Sequence, residues 1–234
     1  MDDPPVAAMH DWHIEPREYR RHAQRRGRRH AFVHLDPRRT ALAVIDMVPF
    51  FVAQNPYCRG IVPNVARLAG TLRAAGGLVA WIVPGSRQPH PDLARAFFGP
   101  AVAELYRTSG GDGAPRTRLW PELAPHDDDP VLEKSAPSAF FPGACPLGDL
   151  LRGRGVDTVL IAGTVTNICC ESSARDACAS GYRVIMVADA NAARRDRDHN
   201  AALHNVYRSF GDVRTTDEVV ALITDAAGPS RAAR

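Results

Sequence analysis

No stretch of the 234-residue sequence approaches the roughly eighteen consecutive apolar residues that a membrane-spanning helix requires. The opening MDDPPVAAMHDWH is acidic and lacks a positive segment followed by an apolar one, so no secretory leader is expected. Cysteine is scarce. The five present (Cys58, Cys145, Cys169, Cys170 and Cys178) are odd in number and irregular in spacing, which excludes a disulfide framework and paired CxxC zinc knuckles. These absences predict a cytoplasmic protein with no membrane partner. Internal repeats and long low-complexity linkers are missing too, so one α/β domain of about two hundred residues is expected. Apolar residues make up 45%, which argues against gross disorder.

Charge of one sign is hardly in excess, at +3 overall, but its distribution is uneven. Seven arginines fall between Arg17 and Arg29, leaving the remainder near neutral. Residues 1–37 therefore read as an arginine-rich N-terminal arm, 38–226 as the domain and 227–234 as a flexible tail. Trp12, Ile14, Tyr19, Phe32 and Val33 interrupt the arginines, and Glu15 and Glu18 supply ionic partners. That mixture predicts an arm packed over its own or a neighbouring subunit rather than a nucleic-acid site built on phosphate contacts.

Short apolar runs alternate with helical periodicity. Strands are expected at Thr40 to Met47, Leu78 to Val83, Pro130 to Lys134, Asp157 to Thr164, Tyr182 to Asp189 and Asp212 to Thr215. Helices are expected at Val62 to Ala75, Cys145 to Gly155, Cys169 to Ser180, Asp198 to Ser209 and from Thr216 onward, with one more near Pro91 to Tyr106. This alternation predicts a three-layer α/β/α, Rossmann-like fold with a mostly parallel sheet, whose ligands bind at the carboxyl ends of the strands.

Three chemically interesting residues stand at such ends: Asp46, Lys134 and, beyond a Gly-led turn, Cys169. A cysteine in the first turn of a helix faces unpaired amides and the positive dipole end, which predicts a lowered thiol pKa. Asp46 can then act as base toward the thiol and later toward water, with Lys134 holding it ionised. Cys170 competes as nucleophile; the spacing from Gly163 and Thr166 favours Cys169. Asn167 on the same turn could offer its amide to a substrate. His199 and His204 are five apart, a poor spacing for shared ligation on a helix, and read as a helical face.

The segments VIDM, EKSAPSAFFPG and AGTVTNICCESSARDACASGYRVIMVADA resemble the three motifs of isochorismatase-like cysteine hydrolases, in family order. That family includes nicotinamidases, N-carbamoylsarcosine amidase, ureidoacrylate amidohydrolase and streptothricin hydrolase. The resemblance implies an Asp46–Lys134–Cys169 triad and a cis bond at Thr164–Val165, with the amides of Val165 and Cys169 as oxyanion donors. It also implies aromatic pocket residues at Phe51 and Phe141, a small-molecule amide substrate and a homo-oligomer, dimeric or tetrameric. The expected reaction is cleavage of a C–N bond in a small amide, lactam or ureide through a thioester. A streptothricin-hydrolase-like lactamase and a catalytically silent binding protein are the alternatives. Where nicotinamidases carry an Asp-x-His metal cluster, this chain reads VPGSRQPHP, so neither metal nor other cofactor is expected.

Overall fold

The computed structural model describes residues 6–87 and 89–227. Six strands, β1 (Thr40–Ile45), β2 (Leu78–Pro84), β3 (Val131–Lys134), β4 (Thr158–Thr164), β5 (Arg183–Ala192) and β6 (Asp212–Arg214), form one sheet. Their order is β3-β2-β1-β4-β5-β6, and every pairing is parallel. The helices are α1 (Pro16–Arg26), α2 (Pro49–Val52), α3 (Pro56–Gly60), α4 (Val62–Ala74), α5 (Pro91–Phe98), α6 (Pro100–Arg107), α7 (Leu147–Gly153), α8 (Glu171–Ala179), α9 (Asp196–Ser209) and α10 (Thr216–Ala227).

The central strands are buried along their whole length, as a sheet covered on both faces requires. Alternate residues serve opposite layers. Leu42 and Val44 of β1 pack with Val65, Leu68 and Leu72 of α4 and with Val219 and Ile223 of α10. Ala41, Ala43 and Ile45 pack with α7, α8 and α9 through Leu151, Ala174, Leu203 and Val206. The three-layer architecture follows from that period of two.

From β1 the chain steps outward through β2 to β3, then returns to β4 on the other side of β1 and continues to β5 and β6. The order thus reverses between β1 and β4, where doubly wound sheets open a crevice at their carboxyl ends. Gly163 makes the close approach there possible. It has φ +120°, and a Cβ at this position would lie 2.1 Å from the Ile45 carbonyl oxygen. Gly163→Ala is therefore expected to lose about 3 kcal/mol or more of stability, read as a lower midpoint in urea.

Several elements depart from expectation, among them the short helices α2 and α3, which it lacks. The helix near Pro91 to Tyr106 is two helices, because Gly99 at φ +79° and Pro100 break it. The arm contains an unforeseen helix, α1, started by Pro16 and closed by Gly27 at φ +72°. Its apolar spacing is sparse, and tertiary contacts supply what periodicity lacks: Tyr19 and His22 each meet the Tyr207 ring edge-on at 5.1 Å. The turn before α8 forms a separate wide helical turn, Thr166–Cys170. Of the expected tail, residues 228–234 lie outside the described residues, as do residues 1–5 of the arm.

The described part of the arm lies against its own chain. Buried Asp212 accepts from the amides of Ala31 and Phe32 at 2.7 and 2.9 Å, and the Tyr207 hydroxyl donates to the Arg29 carbonyl at 2.6 Å. Among the described residues no helix is long and apolar enough to cross a membrane.

Candidate active site

Asp46 follows β1 directly and is the one non-glycine at positive φ among the described residues, at 54°. Aspartate tolerates this left-handed region better than most side chains. Its amide still donates to the Ile82 carbonyl at 2.8 Å, so the turn is tied to the end of β2. Lys134 ends edge strand β3, two strands from β1, and its four-carbon stem carries the ammonium back across β2. It is the only lysine in the chain, whose other permanently charged basic side chains are all arginine.

Lys134 Nζ lies 2.9 Å from Asp46 Oδ2 and donates to Cys169 Sγ at 3.4 Å and to the Ala136 carbonyl at 3.3 Å. The Asp46 carboxylate also acts on the Cys169 thiol through its charge. The structure thus brings the three expected residues together at the switch point. Cys170, fully buried, points into the layer shared with Ala174 and Ala177.

Burial decides the electrostatics. It raises the Asp46 pKa, and Lys134 opposes the rise. Burial pulls Lys134 down, but Asp46 and Cys169 more than reverse this, so the ammonium stays charged. The Cys169 thiol is pushed up to about 12 by burial first and the Asp46 carboxylate second, against the pull of Lys134. The lowering expected from the helix terminus is overturned. The positive end of a helix is outweighed by a neighbouring carboxylate in a site with little water. The trio therefore holds one permanent cation opposite one mobile proton shared by a thiol and a carboxylate.

Lys134→Met removes the cation facing a carboxylate that is only 1% exposed. A buried pair broken this way is expected to lose about 3–5 kcal/mol. With burial unopposed, the folded-state pKa of Asp46 rises further. Stability relative to wild type is then retained at acid pH and lost as pH climbs through that raised pKa. Urea unfolding at several pH values checks both the size and the slope.

The turn carrying Cys169 follows the Thr164–Val165 bond, which is cis. The amides of Ile168 and Cys170 donate back to the Val165 carbonyl at 3.0 and 3.3 Å. Ser173, four residues beyond Cys169, donates to the Cys169 carbonyl at 2.7 Å and accepts from the Ala139 amide at 3.0 Å. It joins the Cys169 backbone to the loop after Lys134. Sequence reasoning missed Ser173, although a serine hydroxyl bonding the carbonyl four residues back is a known helical habit.

The remaining expected site residues separate. Phe141 is 56% exposed and helps line a cavity of about 640 Å³ with Leu93, Phe97, Phe98 and Pro137. Ser135 and Ala136, immediately after Lys134, form part of the same wall. Phe51 packs edge-on to Phe50 at 4.8 Å against the apolar layer and does not line that cavity. Asn167 is exposed on the turn and is not among the cavity's lining residues. Among the described residues no group of three or more His, Cys, Asp or Glu side chains could hold a metal ion.

Residues 40–218 match the family model described as the isochorismatase domain. The chain belongs to the isochorismatase family. Maleamate amidohydrolase of Pseudomonas putida is 31% identical to this family member over 198 residues, covering 82% of this chain and 90% of that protein. Ureidoacrylate amidohydrolase of an Enterobacter species is 31% identical over 221 residues, with coverages of 85% and 93%. A solved cysteine hydrolase from Pseudomonas syringae pv. phaseolicola superposes with a TM-score of 0.73 at 30% identity, covering 84% of this chain and 98% of that one. Membership places this isochorismatase-family chain among hydrolases.

Proposed function

We propose that this isochorismatase-family enzyme is a cysteine amidohydrolase that cleaves a C–N bond of a small amide, lactam or ureide through a thioester. The observation that carries the proposal is the contact of Lys134 Nζ with both Asp46 Oδ2 and Cys169 Sγ. The amidohydrolase relatives support the bond type, and the small, largely apolar cavity beside the loop after Lys134 supports a small-molecule substrate.

The thiol proton passes from Cys169 to Asp46 as the sulfur attacks the carbonyl carbon. The resulting oxyanion accepts from the amides of Val165 and Cys169. The C–N bond breaks, the leaving nitrogen takes the proton from Asp46, and a thioester remains on Cys169. Asp46 then removes a proton from water, which attacks the thioester, and the sulfur leaves and is reprotonated as the acid departs. Lys134 keeps a positive charge beside whichever of carboxylate or thiolate is ionised.

An amide panel containing maleamate, ureidoacrylate, N-carbamoylsarcosine, nicotinamide and a streptothricin-type lactam tests this. Release of amine or ammonia, or opening of the lactam, together with an acyl adduct on the Cys169 peptide in rapidly quenched samples, is the expected result. Turnover with the adduct on another residue, or none throughout a wider amide set, would overturn it.

A further inference from the structure

The arm reaches the back of the nucleophile turn through a stack of rings. His10, only 8% exposed, lies between Tyr57 and His199, with ring centroids 3.9 and 4.2 Å away and planes within 14° and 11°. Both of its nitrogens are engaged. The Ala193 amide donates to Nε2 at 3.0 Å, which assigns the proton to Nδ1, and Nδ1 donates to Asp196 Oδ1 at 2.6 Å. Asp196 also raises the Tyr57 hydroxyl pKa through its charge and stands at the start of α9, where a carboxylate is favoured.

Adjacent segments hold this part of the arm in place. The Asn200 side chain accepts from the His13 amide at 2.8 Å and donates to the Asp11 carbonyl at 2.9 Å. The Ala8 amide donates to the Pro56 carbonyl at 3.0 Å, and the Ala8 carbonyl sits where a Cβ on Gly60 would be.

The other ring of the stack touches the site. His199 is fully buried, and burial foremost, then neighbouring His10, lowers its pKa to about 3, so it is neutral. Its Nδ1 shares a hydrogen bond of 2.9 Å with the Thr166 hydroxyl, the direction set by the ring tautomer. Thr166 is itself fully buried and opens the turn that ends at Cys169 and Cys170.

From these contacts we propose that Thr166, His199 and His10 are positioning residues, through which the N-terminal arm fixes the nucleophile turn and hence the Cys169 sulfur and the Val165 and Cys169 amides. None of the three touches the triad, so each acts through the turn. This rests on the cysteine-hydrolase mechanism above.

Thr166→Val and His199→Leu are each expected to lower kcat about fivefold to tenfold, the scale of one lost buried hydrogen bond, with KM unchanged. Thr166→Ser, which keeps the hydroxyl, restores the rate. The double variant is no slower than either single one, because both remove the same bond. His10→Ala gives a smaller loss that vanishes in the His199→Leu background, and His10→Phe, which keeps a stacked ring, recovers most of it. Hydrogen exchange of the 164–170 amides, measured on the intact chain, rises in the slow variants and needs no substrate. A core histidine that merely stabilises the fold would lower the melting temperature without the kcat loss, the serine rescue or the local exchange. Unchanged kcat and exchange in Thr166→Val, or strictly additive losses, overturns the proposal. Failure of wild type to turn over any amide sinks the amidase reading instead, and leaves exchange to decide the positioning one.

Discussion

Cys169→Ala is expected to cut amide turnover by at least about 10⁴-fold with the fold intact. The expectation follows from covalent catalysis: without the sulfur, water must attack an amide directly in a site arranged for a nucleophile on the chain. Alanine keeps the backbone carbonyl that accepts from Ser173. The matching control is Cys170→Ala. Its sulfur is fully buried among Ala174 and Ala177, so the substitution is expected to lower stability slightly and leave kcat within about threefold of wild type. If the two substitutions exchanged roles, the nucleophile would be Cys170 and the turn would have been assigned one residue short. Melting curves recorded beside the assays separate a lost nucleophile from a lost fold.

What could be read in advance follows the range of the interactions. The six strands are short apolar runs bounded by turn residues, a local signal, and all six were legible. The meeting of Asp46, Lys134 and Cys169 was legible because a parallel sheet gathers its strand ends on one side, so three residues far apart in sequence share one edge by topology alone. Long-range contacts were not legible. Helix α1 has little apolar periodicity of its own and is held through Tyr19 against Tyr207 and Arg26 beside Asp212, contacts that span more than 180 residues. His199 read as one residue of a helical face, because nothing in its spacing reveals His10 stacked on it or Thr166 bonded to it. The solitary lysine is a signal that was available. In a chain that otherwise uses arginine, one lysine at a strand end marks a place where a compact ammonium on a flexible stem is needed.

The thiol pKa was misjudged for a physical reason that yields the sharpest experiment. Helix-end amides stabilise a thiolate only to the extent that no anion competes, and here the charge of Asp46 acts on the sulfur. In wild type the negative charge rests on Asp46, and the thiol is held at about 12, burial and the carboxylate acting together. Alkylation by iodoacetamide at neutral pH should therefore be slow and should climb without a plateau up to about pH 10.

Asp46→Asn reverses the sign. With the carboxylate gone, Lys134 is left 3.4 Å from the sulfur as the nearest opposite charge, and the thiolate becomes its counterion. Each unit by which the thiol pKa falls raises the thiolate fraction at neutral pH about tenfold, so alkylation is expected to accelerate by at least that factor and to plateau at lower pH. Amide turnover is expected to fall at least about 10³-fold in the same protein, because neither the leaving nitrogen nor the attacking water finds its proton carrier. A misfolded or loosened site would expose the thiol yet leave it titrating as an ordinary cysteine. A faster, flatter alkylation profile joined to lost turnover singles out Asp46 as the anion that shares the proton of Cys169. Alkylation unchanged or slowed in Asp46→Asn, or turnover retained, would remove the carboxylate from that role and leave Lys134 paired with the sulfur alone.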